Sequence, residues 1–271
     1  MLALCFPQWQ GSGHSNDLYP AALAIRDHLA DSFTFQTVPV LEEETLNTEQ
    51  DIIGRSAILR QQRAANDIIR QATPDRILTV GGDCGIEIAP ISYLNSRYPA
   101  DEFAVLWIDA HGDLNTPQSS PSRHFHGMPL RILLGEGDPE IVTACFSTLK
   151  PEQVVLAGTR DLDPPEAAYI QGRLTVFTVD QMKDEMIIHY LRGRGVRRVF
   201  VHLDTDALDP NDFPDTKVPT PGGVRLKTLI EFLTKVRQQF DVVGFTITEF
   251  VGSKPAGLAR VKQIVQAVWG E

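Results

Sequence analysis

Positive charge is in short supply in this sequence: 25 Lys and Arg stand against 35 Asp and Glu, a net charge of −10 at pH 7. A surface that tracks phosphate needs a basic stripe, so nucleic acid is not an expected partner. No run of 18 apolar residues occurs, and no membrane span or membrane partner is expected. The opening MLALCFPQWQ lacks basic residues and turns polar too early for a secretion signal. Cysteine is scarce, and the three present, Cys5, Cys84 and Cys145, are odd in number and far apart. They form no disulfide framework, which points to a soluble chain of a reducing compartment, the cytoplasm. Repeats, low-complexity tracts and an interdomain linker are missing as well. One globular domain over residues 1–271 is the expectation, with 42% hydrophobic residues to fill its core.

Short apolar runs alternate with longer helical patterns from end to end. The predicted strands are 2–6, 76–80, 103–109, 154–157, 174–178, 198–203 and 242–247. Most are unbroken aliphatic or β-branched runs, the pattern of parallel strands covered on both faces. Helical patterns occupy 20–31, 47–71, 85–98, 128–136, 164–172, 180–194, 224–239 and 257–269. Strand-then-helix repetition predicts a three-layer α/β/α domain with a mainly parallel central sheet. The proline-rich tract 208–223 reads as a loop after a strand.

In such folds ligands bind at the carboxyl ends of the strands, so the polar residues after each apolar run are the candidates. WIDAHGDLN sets Asp109, His111 and Asp113 at alternate positions, on one side of an extended segment. VHLDTDALDP repeats the device with Asp204 and Asp206. Four facing carboxylates raise one another's pKa, and a divalent cation relieves that repulsion. Five candidate ligands exceed the usual protein share of one ion, so a two-metal site is more economical. Carboxylate oxygen with one imidazole suits Mn²⁺. Cys84 reads either as a sulfur ligand in the same cleft or as a small buried thiol. Isolated aspartates at strand ends also cap helices or fix turns, and Asp209, before Pro210, fits that use. His14, His189 and His202 have no carboxylate pattern around them, and a surface position or core packing is expected of them. Gly81 and Gly82 serve a tight turn, since no Lys-Ser/Thr follows to make a phosphate cradle.

In this order, GGDC, DAHGD and DTDALDP, with the TEF stretch at Glu249, resemble the arginase/agmatinase (ureohydrolase) family, whose pattern is GGDH, DAHxD and DxDxLDP. The resemblance implies an arginase-like fold and two Mn²⁺ ions held by Cys84, Asp109, His111, Asp113, Asp204 and Asp206. Asp109 and Asp204 would bridge, Asp113 would join them on one ion, and His111 with Asp206 would hold the other. It implies amidinohydrolase chemistry, a metal-bridging hydroxide attacking a guanidinium carbon, with His126, Glu249 and Asp113 as catalytic residues. His126 matches a proton shuttle to the leaving amine, and Glu249 a partner of the guanidinium. Asn115, Ser122 and His124 lie in the segment that meets the amino-acid end of the substrate. Asp163 and Glu166 match acids that recognise the α-amino group, although both also fit a helix N-terminus. A homo-oligomer is compatible with the resemblance.

Three departures bear on substrate. Cys84 replaces the first histidine of the pattern, His124 stands where asparagine is usual, and KVPTPGG replaces GTPxxGG. Cysteine there also resembles a subgroup like the Nω-hydroxy-L-arginine amidinohydrolase of D-cycloserine biosynthesis. The expected substrate is therefore a small guanidino amino acid, L-arginine or its Nω-hydroxy derivative, giving urea or hydroxyurea and an ornithine-type product. Agmatine and formimidoylglutamate are the alternatives. A non-catalytic ligand-binding relative with a weakened metal site is the competing class. A zinc deacetylase on a related fold has no use for the second carboxylate, Asp206.

Overall fold

The computed structural model describes residues 1–13 and 15–270. His14 lies outside the described residues. The strands are β1 (Leu2–Cys5), β2 (Phe35–Thr37), β3 (Thr48–Glu49), β4 (Ile52–Ile53), β5 (Ile77–Val80), β6 (Phe103–Ile108), β7 (Val154–Ala157), β8 (Thr175–Phe177), β9 (Arg198–Asp204) and β10 (Asp241–Thr248). The α-helices are α1 (Leu18–His28), α2 (Arg55–Ala72), α3 (Ile88–Arg97), α4 (Pro129–Leu133), α5 (Pro139–Ala144), α6 (Pro164–Ile170), α7 (Met186–Gly193), α8 (Leu226–Gln239) and α9 (Pro255–Trp269). Eight strands form one parallel sheet in the order β2-β1-β5-β10-β9-β6-β7-β8, and β3 pairs with β4 as a separate hairpin.

Alternation along the strands builds two cores. On β6, Ala104, Leu106 and Ile108 face the layer of α1, α7, α8 and α9, whereas Phe103, Val105 and Trp107 face α2 to α6. Both faces are covered, which is why the strands read as unbroken apolar runs. Among the described residues, no helix is long and apolar enough to cross a membrane.

The differences from expectation have local causes. The helix expected over 47–71 starts at Arg55, because Gln50 and Asp51 both take positive φ (51° and 61°). That pair makes the turn of the β3–β4 hairpin. β2 is a short, half-exposed edge strand with no buried apolar run to signal it. The stretch 180–194 breaks into a 3₁₀ turn, Asp180–Met182, followed by α7.

Candidate metal centre and substrate cleft

Five loops at the carboxyl ends of β5, β6, β7, β9 and β10 converge on one cleft. After β5 the chain reverses through Gly81 and Gly82, with φ near +83° and +85°. A Cβ on Gly81 would stand 2.1 Å from that of Ala22, so only glycine fits. Asp83 then braces the turn: it accepts from Gln8 Nε2 (2.8 Å) and from the backbone of Gly11 (2.8 Å) and Gly85 (2.9 Å). Burial, with Glu249 nearby, pushes its carboxyl up to about 7. The turn aims Cys84 into the cleft. Its Sγ lies 3.0 Å from Asp204 Oδ2 and 3.4 Å from Thr248 Oγ1.

Asp109, Asp113, Asp204 and Asp206 are all 4% exposed or less, and they stand together. Asp109 accepts from the His111 backbone (2.7 Å) and from Trp107 Nε1 (3.1 Å). His111 Nδ1 lies 3.0 Å from Asp206 Oδ2 and 3.5 Å from Asp109 Oδ1. Burial and the neighbouring acids push Asp113 and Asp204 well above the carboxylate range. Asp206 rises to about 6, through burial and Asp109. Burial works against charge on Asp109 too, but the imidazoles of His111 and His202 beside it hold it low. His111 is raised by Asp109 and Asp206 despite its burial. Asp113 Oδ2 and Glu249 Oε2 are buried without a hydrogen-bond partner. Buried acids in this state are matched by divalent cations, so the donor set fits a metal centre.

The possible ligands fall into overlapping groups. Donor atoms of Cys84, Asp109, Asp113 and His202 lie within 4.8 Å of one another, as do those of Asp109, His111 and Asp206. Cys84, Asp204 and Glu249 form a third such group. Asp109 belongs to the first two, and Cys84 links the first to the third. The residues Asp113 and Glu249 carry positive φ (51° and 59°), a strained setting for non-glycine residues.

His126, 24% exposed, places Nδ1 3.2 Å from Glu249 Oε1, and burial is outweighed by that carboxylate, which raises the imidazole. The Cys84 backbone donates to the same oxygen at 3.2 Å. At the other end of the cleft, Asn115 Nδ2 donates to Asp163 Oδ2 (2.9 Å), and Ser122 is exposed on the wall. Glu166 lines the cleft but also accepts from the backbone of Leu114 (2.9 Å) and Asp163 (3.0 Å), which closes the start of α6. His124 has an extended backbone just before the 3₁₀ turn Phe125–Gly127, and its ring centroid lies 5.7 Å from that of His126, which lines the cleft.

His202 is fully buried beside Glu87 and His189 is exposed, a core and a surface position as expected of them. Sequence reasoning missed other participants. Arg160 donates to the carbonyls of Gly158, Asp206, Thr220 and Pro221, and so ties the 208–223 loop to the Asp206 turn. Nothing in GTRDLD marks that arginine, since its partners are backbone atoms distant in sequence. Val218, from that loop, also reaches the cleft wall.

A parallel α/β/α sheet with a buried acid and histidine cluster at its carboxyl edge is the class that fold and cleft define. A family model described as "Arginase family" matches residues 18–255, and the chain belongs to the arginase family. An arginase of Staphylococcus aureus (strain MRSA252) is 38% identical over 180 residues, 64% of this chain and 59% of that protein. An arginase of Bacillus subtilis (strain 168) is 32% identical over 80% of this chain and 75% of its own length. The chain thus spans about three fifths of the S. aureus relative. Among solved structures, the Entamoeba histolytica arginase in complex with L-ornithine superposes with a TM-score of 0.86 at 20% identity, over 100% of this chain and 97% of that one.

Proposed function

We propose that the chain is a binuclear Mn²⁺-dependent amidinohydrolase that cleaves the C–N bond of a linear guanidino amino acid, L-arginine or Nω-hydroxy-L-arginine. Asp109, His111, Asp113, Asp204 and Asp206, with Cys84, would hold the ions. The observation that carries this reading is the pair of ligand groups meeting at Asp109. When bound, the cations would lower the pKa of a water they hold and so supply a nucleophile at neutral pH. The chain's own residues bind and orient. Glu249 keeps one oxygen unpartnered at the base of the cleft, where it can accept guanidinium N–H groups and fix the carbon for attack. His126, on Glu249 and facing the opening, holds a proton for the departing amine. Asn115 and Ser122 would meet the α-carboxylate, and Asp163 and Glu166 the α-amino group. The test is to incubate Mn²⁺-loaded protein with arginine, Nω-hydroxyarginine, agmatine and formimidoylglutamate, and to detect urea, hydroxyurea or formamide. Turnover of the two α-amino guanidino acids is expected; turnover of none of the panel would refute the proposal.

A further inference from the structure

One layer beneath the acids, on the α3 side of the sheet, lies His202. It precedes Asp204 by two residues on β9, so both side chains take the same face. Trp107 of β6 and Thr246 of β10 flank it in register. The ring is fully buried and stacks on Trp107, with centroids 3.7 Å apart. Its Nδ1 is 2.5 Å from Oε1 of Glu87, itself fully buried in the 3₁₀ turn that begins at Cys84. Nδ1 meets that carboxylate, and Nε2 faces the acid cluster. Nε2 makes no hydrogen bond; Asp109 Oδ2 is 3.5 Å away, longer than an N–H···O bond.

Nε2 is thus a buried polar atom with no hydrogen-bond partner, facing an acid cluster. A cation held between Nε2 and Asp109 Oδ2 would give both a partner. Donors that share one ion, each about 2.1 Å from it, lie about 3 to 4 Å apart, and 3.5 Å is within that range. Histidines that bind metals characteristically give their other N–H to a carboxylate, which sets the tautomer and orients the ring. Glu87 is placed for that task. Resting on the two-ion centre proposed above, we infer that His202 is a further metal ligand, oriented by Glu87 and sharing one ion with Cys84, Asp109 and Asp113. An imidazole thereby reaches the ion beside Cys84 from β9, where the GGDC turn offers sulfur.

The test compares wild type, His202→Gln and Glu87→Gln as full chains titrated with Mn²⁺. Bound metal is counted by atomic emission, affinity is read by EPR titration, and imidazole nitrogens on Mn²⁺ are counted by pulsed EPR. Wild type should hold two ions with two imidazole couplings, from His111 and His202. His202→Gln should lose one coupling and weaken one ion at least tenfold. Glu87→Gln keeps the ring but frees it, and should weaken the same ion about 10- to 100-fold, the usual loss when such a partner is removed. This variant carries the test if the histidine substitution fails to fold. Two ions in wild type with a single imidazole coupling, or unchanged affinity in Glu87→Gln, would overturn the inference alone. A wild type unable to hold two ions would overturn the proposed centre, and His202's role with it.

Discussion

Replacing Cys84 by histidine exchanges a thiol for an imidazole 3.0 Å from Asp204. In the native protein burial, together with Asp204, pushes that thiol well above its usual range. To ligate an ion, Sγ must first lose its proton. For an unperturbed thiol titrating near 8.5, that step alone costs about 2 kcal/mol at pH 7, about thirtyfold in affinity. The upward shift makes this a lower bound. Imidazole titrates about two units below a thiol, so its proton costs less to remove. Cys84→His should therefore bind the adjacent ion more tightly, the proton cost alone being worth about thirtyfold. The sign of the pH effect follows: below the thiol pKa, native affinity falls about tenfold per unit as pH drops, and the variant loses that component. Calorimetric Mn²⁺ titrations at several pH values, in buffers of different ionisation enthalpy, give both the affinity and the number of protons released. The variant should release one proton fewer. Equal affinity and equal proton release would refute the assignment of Cys84 as a ligand.

Further outcomes are expected. Asp204→Asn should lose bound metal and activity together, as read by metal content and product release; full activity with unchanged metal would contradict a bridging carboxylate. An α-amino acid substrate should exceed its decarboxylated analogue in kcat/KM by a hundredfold or more, since each charged hydrogen bond is worth about 1.5–3 kcal/mol. Asp163→Ala should narrow that ratio. Away from the cleft, Asp138 caps α5 and meets buried Arg55 at 2.7 and 2.9 Å. Asp138→Asn should cost about 3 kcal/mol in urea unfolding, the low end for a broken buried pair because Arg55 keeps Glu140. Burial opposes charge on Asp138, yet Arg55 holds its carboxyl below the usual range. Its contribution is thus complete above the unfolded carboxylate pKa of about 3.9, and is lost as pH falls through the lower folded value.

Much of the fold was legible because the buried strands are apolar runs, most of them ended by glycine or acid. The hairpin at 48–53 was not, since its turn rests on positive φ at Gln50 and Asp51 rather than on Asn-Gly or Gly residues. In the cleft, Asp109, His111, Asp113, Asp204 and Asp206 were visible as spaced acids around one histidine. His202 was hidden inside an apolar strand, and its partner Glu87 lies 115 residues away with no pattern to join them. Glu166 shows how one residue can satisfy two readings, since capping α6 and lining the cleft use the same carboxylate. His124 sits two residues from His126 in sequence, and only the backbone turn separates their environments.

The central claim is that two ions share Asp109 at the carboxyl edge of the sheet. Crystals grown with Mn²⁺ and measured on both sides of its absorption edge test this directly. Two anomalous peaks about 3.5–4 Å apart, both within ligand distance of Asp109, are the predicted result. One peak, or none against Asp109, would contradict it.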